Sequence, residues 1–216
     1  MRVPAFSFGY WGARETSKGM TATRISVLIA AMLALGIVAA CGPIEVRKDQ
    51  QRIMIASDVY LVLPDASELT ESFNATQSIL AEYEDRSFSF EAHIEARPGQ
   101  LTIVALNALG GALFSISFDG VELIASGAAE AQVVNAEYVL ADVLLAHWDP
   151  DWLNRRLDGA SIEASQNGEE RFVSRNGELI VGITYDSADP WGGKAQLTHI
   201  ERAYVLHIRT AEFASQ

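Results

Sequence analysis

Histidine and cysteine are the side chains most able to bind a metal ion or to transfer a proton near neutral pH. The chain has one cysteine, Cys41, and four histidines: His93, His147, His199 and His207. No two histidines are three or four residues apart, so no pair has the helical spacing of common zinc motifs. We therefore expect no metal site and no cofactor, with each histidine on a strand face or at a helix end.

The acidic residues offer no clear catalytic pair. Asp149 and Asp151 flank Pro150, and proline is common in the first turn of a helix, so we expect Asp149 to cap a helix there. Asp142 interrupts an apolar helical stretch and fits two interpretations: half-buried beside a strand arginine such as Arg175, or solvated on the outer helix face. The sequence also lacks a Gly-x-Ser-x-Gly elbow and a glycine-rich loop ahead of a helix, so we expect no catalytic residues.

Composition limits the partners of the chain. Its 216 residues are 49% hydrophobic and 20% charged, which is typical of a globular domain rather than a disordered chain. The formal net charge is -12. Because an acidic surface repels phosphate backbones, we expect no nucleic-acid partner.

The first forty residues have the pattern of an export signal. Lys18 and Arg24 precede an apolar run over residues 25–40. This run is shorter than the roughly 20 residues that span a bilayer. A basic flank, a short apolar core and small residues at its end are typical of a signal peptide. We predict a signal peptide over residues 1–40, with Met20 as an alternative start.

The residues Val38-Ala39-Ala40-Cys41 resemble the bacterial lipobox. In that family of signals a diacylglycerol is attached to the cysteine thiol, and a peptidase then cuts just before the cysteine. The resemblance implies that Cys41 is lipidated, that residues 41–51 form a tether, and that Gly42 allows sorting to the outer membrane. An uncleaved anchor helix and a buried free cysteine are the alternatives.

Beyond residue 51 the chain alternates apolar and polar residues, as half-buried strands do. The clearest case is Ser87 to Ala96, and further strands are predicted over residues 53–63, 73–83, 101–106, 112–118, 121–124, 171–175, 178–185, 196–200 and 204–209. Two-residue hairpin turns are predicted at Asp119-Gly120, Asn167-Gly168 and Asn176-Gly177. The period changes at Asn135, a good helix N-cap, and a second short helix begins at Asp149.

These elements predict a mainly β (α+β) domain over residues 52–216, with about eleven strands and two short helices. Eleven strands about 4.8 Å apart would span roughly 50 Å, and helices about 10 to 12 Å across cannot cover that width. A large uncovered apolar face would aggregate. We therefore predict a curled, half-open antiparallel β-barrel with the helices as plug or lid, although two packed sheets with a filled core would satisfy the same pattern.

A curled sheet with an apolar concave side can enclose a binding cavity. The candidate lining residues come from inward strand faces and the helix stripe: Phe88, Phe90, Ile94, Phe114, Ile116, Val139, Leu140, Val143 and Leu144. This cavity predicts a non-enzymatic, monomeric carrier that binds an acyl or polyene chain. The alternative is a structural or accessory envelope lipoprotein with a filled core. An enzyme acting on lipids is the weakest hypothesis, since the sequence shows no nucleophile and base pair.

Two groups of side chains are candidates for contact with a bound lipid. Arg155 and Arg156 either compensate the dipole at the end of the second helix or meet a lipid phosphate. Trp148, Trp152 and Trp191 either pack in the core or lie against an acyl chain.

Motifs spread over most of the chain beyond residue 51 support a family resemblance. They are Leu106-Asn107-Ala108-Leu109-Gly110, Phe118-Asp119-Gly120, Leu140-Ala141-Asp142-Val143-Leu144-Leu145, Trp148-Asp149-Pro150, Asn176-Gly177, Ile183-Thr184-Tyr185 and Tyr204-Val205-Leu206-His207-Ile208. They resemble an uncharacterised family of bacterial outer-membrane lipoproteins, often encoded beside genes for aryl-polyene-type products. That family in turn resembles the LolA and LolB lipoprotein carriers, half-closed barrels whose cavity receives acyl chains. The resemblance implies an acyl, lipid or lipoprotein cargo handled at the inner leaflet of the outer membrane.

Overall fold

Thirteen β-strands are present in the described part of the chain. The computed structural model describes residues 52–127 and 134–215. In chain order the strands are β1 (Arg52–Ala56), β2 (Val59–Val62), β3 (Phe73–Tyr83), β4 (Arg86–Arg97), β5 (Gln100–Leu106), β6 (Ala112–Phe118), β7 (Leu123–Gly127), β8 (Leu157–Asp158), β9 (Ser161–Ala164), β10 (Glu170–Arg175), β11 (Glu178–Tyr185), β12 (Lys194–His199) and β13 (Tyr204–Ser215). The predicted signal peptide, Cys41 and the tether lie outside the described residues.

The strands form two antiparallel sheets. Strands β1, β2 and β8 form a small sheet, and the other ten form a large sheet in the order β7-β6-β5-β4-β3-β13-β12-β11-β10-β9. The edge strands β7 and β9 are not paired with each other in the described residues, so the large sheet is open. The predicted class, mainly β with an open antiparallel sheet and two helices, is confirmed. The strands number thirteen in two sheets, rather than about eleven in one.

Backbone angles explain two of the hairpins. Asn176 and Gly177 have φ of 51° and 82°, as a two-residue turn between twisted strands requires, and they join β10 to β11 as predicted. The segment 53–63, predicted as one strand, is instead the β1–β2 hairpin. Its chain reverses at Asp58, whose φ is 58°, a conformation that aspartate tolerates better than most residues.

The other two predicted two-residue turns are wrong, because both connections are longer. The Oδ1 atom of Asp119 accepts hydrogen bonds from the backbone N–H groups of Val121 and Glu122 at 2.9 and 2.7 Å, and β7 begins only at Leu123. Between β9 and β10, only Gly168 of the predicted Asn167-Gly168 pair has a positive φ. Asparagine and aspartate side chains here stabilise wider loops through their own hydrogen bonds.

Two α-helices follow β7, and both begin where the capping residues predict. Helix α1 is Ala136–His147, and Asn135 Oδ1 accepts a first-turn N–H hydrogen bond at 2.8 Å. Helix α2 is Pro150–Asn154, and Asp149 Oδ1 accepts the N–H of Trp152 at 2.9 Å. A short 3₁₀ turn, Ala66–Glu68, lies between β2 and β3. Neither α-helix within the described ranges has the length and apolar character to cross a bilayer.

Helix α1 forms the centre of the packed core. Its side chains Leu140 and Leu144 belong to one buried cluster with Ile53 and Leu61 of the small sheet and Val181 of the large sheet. Because α1 also contacts β1, it packs against the small sheet on one side. Another face of the helix, about 100° from Leu140 and Leu144, is directed at strands β3, β4 and β13 and positions the candidate site.

Candidate functional site

A cavity of about 760 Å³ lies between α1 and the inner face of the large sheet. Strands β3, β4 and β13 supply most of the sheet wall, and one side chain comes from β5. The lining is mainly apolar, but several polar side chains also face the cavity: Gln77, Asp142, His147, Arg202 and Tyr204. Ligand pockets commonly measure about 300 to 1,000 Å³ and combine apolar walls with a few polar groups, so this cavity has the properties of a binding site.

The cavity opens beside the β3–β4 hairpin. Along the inward face of β4, Ala92 and Ile94 are buried, Phe90 is half-buried and Phe88 is 48% exposed. Tyr83, at the end of β3, is 45% exposed. Exposure therefore rises along the strand toward the hairpin, and the mouth of the cavity presents aromatic rings to solvent.

Helix α1 lines the cavity with one of its faces. The lining positions follow the helical period: Tyr138, Val139, Asp142, Val143, Ala146 and His147. Leu140 and Leu144 lie one residue beyond Val139 and Val143, which places them about 100° further around the helix. Both leucines are buried in the core. The helix is thus apolar on two sides, one for packing and one for the cavity.

The structure divides the predicted lining residues into two groups. One group faces the cavity: Phe88, Phe90, Ile94, Val139 and Val143. The other group lies in the packed core and is not part of the lining: Phe114, Ile116, Leu140 and Leu144. The ring of Phe114 packs edge-on against that of Phe90, with centroids 5.8 Å apart. Strand alternation identifies the inward faces but not how far along the sheet a cavity extends.

Asp142 is a buried acidic residue on the cavity wall, with 9% of its surface exposed. The Tyr204 hydroxyl lies 2.8 Å from each carboxyl oxygen and donates its hydrogen bond to this group. Burial raises the pKa of Asp142 to about 7, against the opposing effects of Tyr204 and of the charge on Arg202. Neither sequence-based interpretation describes this position, because Arg175 forms ion pairs with Glu178 and Glu201 instead and Asp142 is buried.

Arg202 lies on the same wall as Asp142. Its guanidinium group is 3.3 Å from the centre of the Tyr138 ring and donates a hydrogen bond to the carbonyl oxygen of Met54. A cation over an aromatic face is held by the ring quadrupole. These contacts to α1 and β1 fix a positive charge beside the carboxyl group of Asp142.

Gln77 and His147 form a polar floor at the buried end of the cavity. The Nδ1 atom of His147 lies 2.9 Å from the carbonyl oxygen of Pro190, which can only accept, so Nδ1 carries the proton. Its Nε2 atom then accepts from the Gln77 amide nitrogen at 3.1 Å. Burial lowers the pKa of His147 to about 3, and the ring of Trp191 stacks on the imidazole at 3.8 Å. The floor is therefore uncharged at neutral pH.

A family model described as "Protein of unknown function (DUF3261)" matches residues 74–212, well over half of the chain. The chain belongs to the DUF3261 family. The matched residues of this DUF3261 protein include the whole sheet wall of the cavity and the cavity face of α1. The chain matches no curated protein.

Two solved structures are similar to this DUF3261 chain. One is a LolA superfamily protein from Nitrosomonas europaea, with 9% identity, a TM-score of 0.40, and coverage of 70% of this chain and 90% of that chain. The other is an outer membrane lipoprotein-sorting protein domain from Vibrio parahaemolyticus, with 9% identity, a TM-score of 0.34, and coverage of 68% and 86%. With both TM-scores below 0.5, these similarities carry no argument about function. The predicted likeness to LolB and the predicted gene neighbourhood stay predictions.

The remaining histidines of the DUF3261 protein lie outside the cavity. His93 and His207 lie on strand faces beside Glu91 and Glu82. His199 is buried in β12, where its Nε2 atom is 2.8 Å from the carbonyl oxygen of Ile55 and burial lowers its pKa to about 4. Among residues 52–127 and 134–215, no three His, Cys, Asp or Glu side chains are grouped to hold a metal ion. The polar side chains of the cavity can form hydrogen bonds with a ligand, and its apolar walls can contact an apolar chain.

Sequence reasoning missed Gln77, Arg202 and Tyr204. Gln77 carries a detectable signal, because it occupies an inward position of β3 between Ala75 and Ile79, where a polar residue is unusual. Tyr204 is the first residue of β13 and Arg202 lies in the turn before that strand, and their surroundings in the sequence do not distinguish them from other surface residues. Their role depends on a long-range approach to α1.

None of the arginine and tryptophan candidates is part of the cavity lining, and Arg155 is exposed. Arg156 is buried, with its guanidinium group 3.8 Å from the ring centre of Trp152. Trp148 and Trp191 pack around Phe73, with centroid distances of 5.9 and 4.6 Å. For the tryptophans, the structure favours packing over contact with an acyl chain. Arg156 donates a hydrogen bond to the carbonyl oxygen of Trp152 in α2 at 3.2 Å, which agrees with the helix-end interpretation.

Proposed function

We propose that this DUF3261 protein is a non-catalytic lipoprotein of the cell envelope that binds an acyl or lipid cargo, free or attached to a lipoprotein. The cargo chain occupies the cavity between α1 and the large sheet. The lipid on Cys41 anchors the protein in the inner leaflet of the outer membrane, and residues 41–51 form the tether. The observation that carries this proposal is the 760 Å³ apolar cavity with its open mouth.

Apolar burial supplies the affinity in this proposal. Each methylene group transferred from water contributes about 0.8 kcal/mol, so about ten methylenes contribute roughly 8 kcal/mol before the entropic cost of binding. The walls that receive the chain include Ile79, Ile94 and Ile208. A cargo is then held mainly by its chain and passes to any acceptor that buries the same chain more completely.

The open mouth gives the chain a path in and out. Phe88 and Tyr83 are about half exposed at the entrance, so an acyl chain meets apolar surface before it reaches the buried part of β4. Exposed apolar surface of this kind is typical of ligand grooves. Transfer needs no covalent step, since loading and release differ only in where the chain is buried.

A matched pair of substitutions tests the location of binding. Ala81 lines the cavity near its mouth, whereas its neighbour Leu80 points to the opposite sheet face and lines a separate groove of about 510 Å³. We expect Ala81→Trp to weaken binding of the fluorescent probe N-phenylnaphthylamine at least about tenfold, because the indole occupies the path of the ligand. Leu80→Trp should leave binding unchanged. Equal effects, or a loss only in Leu80→Trp, contradict the proposal, provided circular dichroism shows both variants folded.

The anchor has an independent test in cells. Cys41→Ser removes the only thiol, so the variant should incorporate no labelled palmitate and should leave the membrane fraction. Gly42→Asp keeps the thiol and serves as the control: it should stay labelled but shift toward the inner membrane. Palmitate labelling that persists in Cys41→Ser rules out this cysteine as the lipid attachment site.

A further inference from the structure

The carboxyl group of Asp142 has more acceptor capacity than the protein uses. Above about pH 7, where Asp142 is ionised, its carboxylate can accept about four hydrogen bonds. In the described ranges, the Tyr204 hydroxyl is the donor within hydrogen-bonding distance, and both oxygens share its single hydrogen. Because Asp142 lines the cavity, its unused acceptor positions are available to a ligand. A buried acceptor without enough donors is costly, so a ligand that supplies a donor there gains affinity.

Arg202 does not fill this capacity. Its guanidinium group is engaged by the Tyr138 ring and the Met54 carbonyl oxygen, and no ion pair joins it to Asp142 in the described contacts. It nevertheless places a fixed positive charge on the same wall. A cationic head group on a ligand is therefore repelled by Arg202 as well as attracted by Asp142.

The rim of the cavity adds negative charge. Glu82 and Glu201 are exposed lining residues near the mouth, and the whole chain carries a net charge of -12. An anionic head group meets these carboxylates outside and Asp142 inside. These three carboxylates repel an anionic head group, and they outnumber the single positive charge of Arg202 in the lining.

We propose that the cavity selects an uncharged acyl amphiphile whose O–H or N–H group donates a hydrogen bond to Asp142, with its chain against Phe90 and Ile94. This inference rests on the proposed function and adds a head-group preference to it. Acyl alcohols and monoglycerides supply an O–H donor, and N-acyl amides supply an N–H donor. An ester of the same chain length supplies neither, and a fatty acid anion is repelled.

Competition among matched ligands tests the preference. Dodecanol, dodecanamide, methyl dodecanoate and dodecanoate share one chain length and differ in the head group. Each ligand is titrated against N-phenylnaphthylamine bound to the full-length protein at about pH 8, and displacement of the probe is measured. At this pH Asp142, with a pKa of about 7, is mostly ionised. We expect one or both of the donors to bind about tenfold or more tightly than the ester and the anion, as a hydrogen bond to a charged group predicts. The comparison of dodecanol with dodecanamide separates O–H from N–H recognition.

Two variants assign the preference to the carboxyl group. Asp142→Leu should bind the ester as tightly as the donors, whereas Glu137→Gln, which changes an exposed acid on the same helix outside the lining, should keep the difference. Asp142→Asn, a milder change, should reduce the preference to a few-fold and improve binding of dodecanoate. Equal displacement by all four ligands in the native protein overturns this inference alone. If none of the four displaces the probe, the proposed function fails with it.

Discussion

Asp142 and His147 share one cavity, and burial shifts their pKa values in opposite directions. The pKa of Asp142 rises to about 7, and that of His147 falls to about 3. Both shifts have the same cause, because burial disfavours whichever form is charged. His199, buried on β12, behaves like His147, with a pKa of about 4. These three groups couple the fold to pH in the range from about 3 to 7.

The Asp142 carboxyl group should make the protein less stable as the pH rises. The unfolded chain ionises this group near 3.8, while the folded protein keeps the proton up to about pH 7. Between these values the folded state binds more protons, so its stability falls with increasing pH. We expect Asp142→Asn to gain about 2 to 3 kcal/mol over the native protein between pH 5 and pH 7, measured by urea unfolding, at about 1.4 kcal/mol for each pH unit.

The difference in stability between Asp142→Asn and the native protein reports the contribution of the Asp142 carboxyl group alone. The two buried histidines act in the other direction, since the unfolded chain protonates them below about pH 6.5 and the folded protein does not. Their effect is present in both proteins and cancels. Glu137→Gln, which changes an exposed acid on the same helix, should show no such pH-dependent gain. A constant difference between Asp142→Asn and the native protein across this range contradicts the buried, protonated state.

Among the secondary-structure elements, α1 has one face that stabilises the fold and another face that lines the cavity. Leu144 is 1% exposed within the core cluster, whereas Val143 is half-buried against the cavity. We expect Leu144→Ala to lower the free energy of unfolding by about 2 to 5 kcal/mol, because it leaves a hole in packed surroundings. Val143→Ala should cost less than about 1.5 kcal/mol and should change the affinity for N-phenylnaphthylamine, since it enlarges an existing cavity.

Denaturant unfolding and probe titration on the same two variants check this division. Leu144→Ala should retain the native affinity at temperatures where it is folded. Equal losses of stability in the two variants, or a loss of affinity confined to Leu144→Ala, show that the two faces of α1 are assigned the wrong way round.

Strand alternation allowed several elements to be predicted from the sequence. Strands β3 and β6 have the predicted bounds, since burial alternates along each strand and a turn follows it. Strand β13 extends to Ser215, beyond the predicted end at residue 209, because it pairs with the full length of β3. Residues 211–215 are exposed, so no apolar pattern marks them. Long-range pairing, which alternation does not encode, sets that boundary.

The candidate site was predictable only in part. The helix stripe identified Val139 and Val143, but it also included Leu140 and Leu144, which lie about 100° away around the helix. Sequence alone does not say which of two apolar helix faces meets a partner and which meets a cavity. Tyr204 approaches Asp142 from 62 residues away, and no local pattern predicts that contact.

In the molecule as a whole, the cavity exists because the large sheet is wider than the helices that pack against it. A ten-stranded open sheet offers more inner surface than α1 and α2 can cover, and the small sheet occupies the other side of α1. The space that is not filled lies between α1 and strands β3, β4 and β13. The proposed function requires an acyl chain to occupy this space.

Nuclear magnetic resonance with an isotope-labelled dodecanol chain shows directly whether an acyl chain occupies the cavity between α1 and the large sheet. We expect nuclear Overhauser contacts from the chain to the methyl groups of Ile79, Ile94 and Val143, which surround the cavity on β3, β4 and α1. Contacts to Leu80 on the outer sheet face, or no contacts inside the cavity at saturating ligand, contradict it.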